Sequence, residues 1–227
     1  MKIAVIFFHS NILNIYKKRW IIESVNSILN QTFNDFDIFE INYGGDGFSL
    51  NELCDFNGHK HYFYNKKLKN HIYAEQFLFD KCKYNYDIIF NTNLDDISYR
   101  ERFEKELNLY KSGNYDIIYT DIEYIKEVEN KDEVFFDLNL RRFKTQKDMS
   151  EQILNNNNNI IANPTVLYTS KFLQENNLDV NIPNVNEEDF DLWKRTINKY
   201  KFGIVPEILL KYRIHENQIS NKINKFC

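Results

Sequence analysis

The sequence predicts a single α/β domain, with a mixed, mostly parallel central sheet flanked by helices on both faces. Two observations carry this reading. Residues 2–8, 36–42 and 86–91 are apolar runs of strand length without alternation, as buried parallel strands require. Stretches of helical period lie between them, so strand, helix and strand follow one another as in a βαβ unit.

In chain order, the first strand at residues 2–8 ends at His9-Ser10-Asn11. Residues 18–31 place Trp20, Ile21, Val25, Ile28 and Leu29 on one helical face. A second strand at 36–42 stops at Gly44-Gly45-Asp46-Gly47. A short strand at 61–64, a helix at 72–83 and a strand at 86–91 lead into Asn93-Leu94-Asp95-Asp96. Ser98 and Glu101 read as a capping box opening a helix at 100–111. A further strand is expected at 116–120, then a hairpin or irregular excursion at 127–143. The asparagine tract 155–159 reads as a loop tip. A strand at 160–168, a short helix at 171–176 and an amphipathic helix at 187–200 follow, the last with Phe190, Trp193 and Ile197 in register. Two short strands, 202–205 and 209–212, precede Arg213-Ile214-His215. There is no internal repeat and no linker, so residues 1–227 are expected to form one domain.

Composition narrows the function. Hydrophobic residues make up 43% of the 227, enough for a sizeable core and against disorder. A net charge of −4 does not suit a nucleic-acid binder, which needs a basic surface. Cys54, Cys82 and Cys227 are too few and too scattered for a disulfide framework or a zinc site. No apolar run approaches a membrane span and no signal-peptide pattern is present, so a reducing, cytoplasmic setting is expected.

In an open α/β sheet, ligands collect outside the carboxyl ends of the strands. Here those ends carry His9, Asn11, Tyr43, Gly44, Asp46, Asn65, Asn93, Asp95 and Asp96, a set able to hold a nucleotide. Adjacent carboxylates at Asp95 and Asp96 suit a hard divalent cation, which can bridge a diphosphate and offset its charge. Acids before a helix also complement its dipole, but Ser98 would already supply that cap. Glu187-Glu188-Asp189 offers a general base, or merely the acids favoured in a first helical turn with Asn186 as cap. His215 can serve as metal ligand or phosphate contact, or lie on the surface. His59, His61 and His71 lack metal-ligand spacing and read as structural.

From Lys2 to about Ser220 the chain resembles the family 2 glycosyltransferases, inverting nucleotide-sugar enzymes of the GT-A (Rossmann-like) fold. The resemblance rests on Ile3–Phe8 with Asn11, on Ser27-Ile28-Leu29-Asn30-Gln31-Thr32, and on Asn93-Leu94-Asp95-Asp96 at the D-x-D-D position. It also rests on Glu188-Asp189-Phe190-Asp191-Leu192-Trp193 and on Tyr212-Arg213-Ile214-His215 with Ser220 beyond. It implies a nucleotide-sugar-binding half, 1–121, and an acceptor-binding half, 122–227. Asp95 and Asp96 would hold Mn²⁺ or Mg²⁺ on the diphosphate, Asp96 foremost, with His215 approaching the same ion. Asp189 would deprotonate the acceptor hydroxyl. His9, Asn11 and the Tyr43–Gly45 turn would cradle base and ribose. A UDP-sugar is the default donor and a glycan or lipid-linked sugar the acceptor, the latter allowing peripheral membrane contact.

The chain departs from the family in three places. Asn42-Tyr43-Gly44-Gly45 stands where the family has Asp-Asp-Gly-Ser, leaving Tyr43 to stack on a base or Asp46 to read it. Asn93 replaces the first Asp of the metal motif. Ala74-Glu75-Gln76 replaces Ala-Arg-Asn, so an acid stands for a cation that Lys66, Lys67 or Lys69 can supply. Phe135, Phe136 and Phe143 suit either sugar stacking or core packing. These departures motivate an alternative, a catalytically silent relative that binds a nucleotide sugar or glycan. A sugar-phosphate nucleotidyltransferase ranks lower, because the first strand ends without the glycine-rich basic loop of that class.

Overall fold

The computed structural model describes residues 1–137, 145–184 and 187–218, with the backbone alone at 135–137. The first half runs β1 (Ile3–His9), α1 (Ile12–Ile15), α2 (Lys18–Leu29), β2 (Asp37–Asn42), β3 (His61–Asn65), α3 (His71–Cys82) and β4 (Ile88–Asn91). Then come β5 (Ile97–Ser98), α4 (Arg102–Gly113), β6 (Ile117–Val128), β7 (Lys131–Asp137) and α5 (Gln146–Ser150). The chain closes with β8 (Leu167–Thr169), α6 (Ser170–Glu175), α7 (Glu188–Thr196) and β9 (Phe202–Arg213).

Among the described residues these strands make one nine-stranded sheet in the order β3-β2-β1-β4-β8-β6-β9-β5, with β7 added to the outer part of β6. Strands β1 to β4 pair in parallel, β6 and β9 likewise, while β5, β7 and β8 run against their neighbours. Chain order turns outward from β1 to β2 and β3, then returns to place β4 on the other side of β1. The carboxyl ends of β1 and β4 therefore meet at a topological switch point, where adjacent loops part and leave a crevice.

Strand β1 shows why the sheet has two covered faces. Ile3, Val5 and Phe7 join the core under α2 and α4, with Ile21, Val25, Phe103 and Leu107. Ala4 and Ile6 join the opposite core under α3, α6 and α7, with Leu78, Phe172 and Trp193. All five β1 residues are 2% exposed or less, which explains an apolar run without alternation.

The structure corrects several expectations of the sequence. Ser98 caps no helix: it pairs in β5, its hydroxyl accepts from Arg102 Nη1 at 3.0 Å, and α4 starts at Arg102. The strand expected at 116–120 continues to Val128, because its outer part pairs with both β7 and β9. Of the expected strand 160–168 only the last two residues pair, in β8 at Leu167–Thr169, since Pro164 sits in a 3-10 turn at Asn163–Thr165. The two short terminal strands are one, β9, with register shifts against β6 around Asp121. Helix α7 stops at Thr196, short of the expected Tyr200. Helix α5 was not expected; Thr145 and Asp148 form its capping box. Asn186, Phe143, Ser220 and Cys227 lie outside the described residues, as do the side chains of Phe135 and Phe136.

Candidate active site

A cleft of about 620 Å³ opens at the switch point. One side is built by the loops after β1, β2 and β4, which contribute His9, Ser10, Tyr43, Asn93 and Asp95. The other is built by the first turn of α7 and by residues 159–164, which contribute Glu188, Asp189, Asn159 and Asn163. Tyr212 and residues 216–218, after β9, close a third side. The described lining residues include no lysine and no arginine.

Asp95 and His215 come together although 120 positions apart, with His215 Nε2 at 3.0 Å from Asp95 Oδ2. Tyr16 and Trp20 pack on the His215 ring at centroid distances of 5.3 and 5.1 Å. Burial, with Asp95 and Asp96 alongside, keeps the Tyr16 hydroxyl protonated well beyond its ordinary range. Asp96 does not line the cleft. It turns inward, 3% exposed, and accepts the Arg213 backbone N–H at 2.9 Å. Burial, then the charge of Asp95, pushes Asp96 well above the carboxylate range. Asp95, not Asp96, therefore offers its carboxylate to the cleft. Arg213 steadies the turn: its Nε donates to the Asp95 carbonyl at 2.9 Å, while its guanidinium pairs with Asp132 and, at 3.2 Å, with Glu23.

Across the cleft, Asp189 opens α7. Its Oδ1 accepts the Phe190 N–H at 2.6 Å, and Asn159 approaches both oxygens at 3.4 Å. Burial and the neighbouring Glu188 push its pKa up to about 7. Glu188 is 8% exposed and pairs with His71 Nε2 at 3.2 Å, while its Oε2 has no partner among the described residues. His71, expected to be structural, thus belongs to the cleft wall. Glu75 lies fully buried, its Oε1 accepting from Asn91 at 2.9 Å and Asn163 at 3.1 Å. Burial first, and then Glu188, pushes its pKa to about 8, so it carries a proton at pH 7.

Other expected donors serve the loops. His9 lines the cleft, but its Nε2 is engaged at 2.9 Å by buried Glu40, which also takes His61 at 2.7 Å. Asn42 accepts the Gly44 N–H at 3.0 Å and donates to Asp46, which accepts the Phe48 N–H at 3.1 Å. That backbone bond, first, holds the Asp46 carboxyl below its ordinary pKa. A Cβ on Gly44 would sit 2.6 Å from Ser10 Oγ, so glycine lets the turn close on the β1 loop. Asn65 accepts the Gly47 N–H at 3.2 Å. Asn11 is exposed in a left-handed conformation, φ 50°. Asn11, Gly44, Asp46 and Asn65 do not line the cleft, and neither do Lys66, Lys67 and Lys69. Tyr43 does line it and is the residue of that turn able to meet a base.

A divalent cation fits the Asp95–His215 end by donor chemistry: a carboxylate and an imidazole face each other there, and Mg²⁺-like ions take one or two protein carboxylates plus phosphate oxygens. No group of three or more acidic, histidine or cysteine side chains placed to hold a metal ion occurs among the described residues.

No family model matches the chain. The O-antigen biosynthesis glycosyltransferase WbnJ of Escherichia coli is 28% identical over 206 residues, covering 85% of this chain and 73% of its own length. An uncharacterized glycosyltransferase of Methanocaldococcus jannaschii is 30% identical over 124 residues, 53% of this chain and 39% of that protein. The crystal structure of S. aureus TarS 1-349 in complex with UDP-GlcNAc superposes with a TM-score of 0.68 at 14% identity. It covers 99% of this chain and 62% of that one, so the present chain spans less than two thirds of the neighbour. The sequence relatives are named glycosyltransferases and the fold is shared with TarS, so the chain is similar in sequence and in fold to glycosyltransferases of the GT-A type.

Proposed function

We propose that the protein transfers a sugar from a nucleotide-sugar donor, a UDP-sugar by default, to a hydroxyl of a glycan or lipid-linked acceptor, with inversion. The observation that carries this is the opposition of Asp95 and Asp189 on one cleft, with Asp189 held near neutrality. Residues 1–121 supply the donor side and residues 122–227 the acceptor side, with Tyr43 against the base. The relationship to an O-antigen enzyme supports the acceptor class. No described helix is long and apolar enough to cross a membrane, and we place the reaction at the cytoplasmic side.

Asp189 accepts the acceptor proton as the hydroxyl oxygen bonds to the anomeric carbon. The bond from that carbon to the diphosphate oxygen breaks, and the electron pair leaves with the nucleoside diphosphate. A base with a pKa near the working pH is suited to this role. Asp95 and His215 would hold Mn²⁺ or Mg²⁺, which, when bound, offsets charge on the departing diphosphate. Arg213 keeps Asp95 in place from behind, and Tyr16 and Trp20 fix the imidazole.

Asp189→Asn tests the assignment. Turnover should fall by about 100- to 10,000-fold with donor affinity kept. In the unaltered enzyme kcat should fall as pH drops below about 7, because Asp189 becomes protonated. Steady-state kinetics with each nucleotide sugar from pH 5.5 to 9 measures both. Undiminished turnover in Asp189→Asn removes Asp189 as base, and donor binding without turnover in the unaltered protein favours the silent alternative.

A further inference from the structure

The free edge of the sheet carries a positive charge that the cleft does not use. Strand β3 ends the sheet on its side and pairs only with β2, so the backbone groups on its outer side have no strand partner. Residues 56–74 include Lys60, Lys66, Lys67 and Lys69 and no acid, in a chain of net charge −4. Lys81 of α3 joins them, and all five are exposed. Among the described residues the lysines in ion pairs are Lys17, Lys83 and Lys105, none of these five. The neighbouring acid, Asp80, is taken by Lys83 at 2.6 Å. Aromatic rings are interleaved with the charge. Tyr64 and Phe77 meet edge to face at 5.1 Å, and Lys66 and Lys81 lie over the Phe77 ring at 5.0 and 5.2 Å. Lys69 lies over Tyr73, one turn earlier on α3, at 6.0 Å. Tyr62 and Phe63 stand on the edge strand itself, 39% and 37% exposed. Lysines alone would guard an open edge against pairing with another chain. Exposed rings beside them do the opposite, so guarding does not account for the combination.

We propose that this edge docks the protein on an anionic lipid bilayer. Lysines are drawn to an anionic leaflet, and amphipathic aromatic rings settle at headgroup depth. The rings favour a bilayer over a soluble polyanion, which would take up the charge and leave them in water. The edge also lies beside the cleft. After β3, the Lys66 N–H donates to the Asn42 carbonyl and the Leu68 N–H to the Tyr43 carbonyl, each at 3.0 Å. Tyr43 and, at the start of α3, His71 line the cleft. A bilayer on this edge brings headgroups toward the cleft, so the proposal deepens the acceptor reading above toward its lipid-linked branch and rests on it for purpose, though not for geometry.

The test is flotation of the full chain with vesicles of phosphatidylcholine, alone or with about 30% phosphatidylglycerol. The anionic vesicles should bind about tenfold tighter or more, and raising NaCl from about 0.1 to about 0.5 M should remove most of that gain. Lys66→Gln, Lys67→Gln, Lys69→Gln and Lys81→Gln combined should bring binding down to the level of the neutral vesicles. The same charge change at exposed Lys18, Lys126, Lys171 and Lys199 should leave it within about threefold of the unaltered protein. Phe63→Ser keeps every charge and should weaken binding by about threefold or more. Circular dichroism checks that each variant is folded. Equal binding to both vesicles, or binding to neither, overturns the proposal. Undiminished binding in the folded variant lacking the four edge lysines overturns the assignment to this edge. Unchanged binding in Phe63→Ser, with dextran sulfate displacing the vesicles, assigns the edge to a soluble polyanion and overturns the bilayer. Vesicle binding needs no turnover, so its failure leaves the donor reading intact, and absent sugar transfer leaves the docking result intact.

Discussion

Strands β1 to β4 all run parallel, whereas β5 to β9 include three strands that run against their neighbours, one of them in a hairpin. The first region makes a platform, and its strand ends supply Ser10, Tyr43, Asn93 and Asp95 from a regular frame. The second region completes the cleft from several directions, with Asp189 from a helix start, Tyr212 from the end of β9 and Gln218 beyond it, while His215 stands behind Asp95. In the platform, position in the chain translates almost directly into position in space. In the second region it does not, because antiparallel strands return the chain from unrelated distances. Arg213 is the joint between the two: it lies at the end of β9, yet bonds the Asp95 turn, Glu23 of α2 and Asp132 of β7.

The largest effect expected from breaking this joint is at the aspartates. Asp95→Ala should remove metal-dependent nucleotide binding, beyond the roughly 10- to 100-fold that loss of a supporting contact costs a metal site. Asp96→Asn should cost far less, because an amide oxygen still accepts the Arg213 N–H. A thermal-shift titration of UDP with and without Mn²⁺ separates the two, and equal loss in both variants would return Asp96 to the cation. Next, Arg213→Met should destabilise the fold by about 3 kcal/mol, since the Asp95 carbonyl loses its donor and Asp132 and Glu23 keep only the more exposed Arg19. The measurement is the urea midpoint, and an unchanged midpoint would mean that the two regions are stable without the joint.

A smaller effect is expected within the cleft wall. Glu75 is raised to about 8 in the fold against an ordinary 4.5, so its protonated form is favoured by folding. Its contribution is fully present below pH 4.5 and is lost as pH rises through 8. Between pH 6 and 9 the loss should be on the order of 2 kcal/mol. Glu75→Gln keeps an oxygen for Asn91 and Asn163 and should flatten that dependence in urea unfolding at the two pH values. An equally steep dependence in the variant would show that Glu75 does not titrate in this window. Glu106, beside buried Arg102 and likewise raised to about 8, contributes the same sign and remains in both proteins.

Much of this was legible before the structure. The apolar runs of β1, β2 and β4 announce buried strands because both of their faces are covered. The polar residues after them announce the cleft because strand ends are where an open sheet leaves room. Asp95, Asp189 and His215 were each identifiable from short patterns. What the patterns did not carry was direction. Adjacent aspartates look alike in a sequence, but one faces the cleft and the other faces the Arg213 backbone. Ser98 looks like a helix cap because the spacing to Glu101 is right, yet pairing with β9 and the Arg102 guanidinium claim it. Tyr16 had no signal, His71 read as structural, and Glu75 showed only as an acid in place of a cation, since each matters through partners distant in the chain.

The sequence by itself determined the alternation of strands and helices, the two-faced core and the chemical types gathered at the strand ends. These follow from local periodicity and from the hydrophobic effect, which act on neighbouring residues. The tertiary structure alone decided which carboxylate is exposed, which acid keeps its proton and which histidine meets Asp95. Those properties depend on burial and on charges a few ångströms away, and such neighbours are brought together only when the sheet closes.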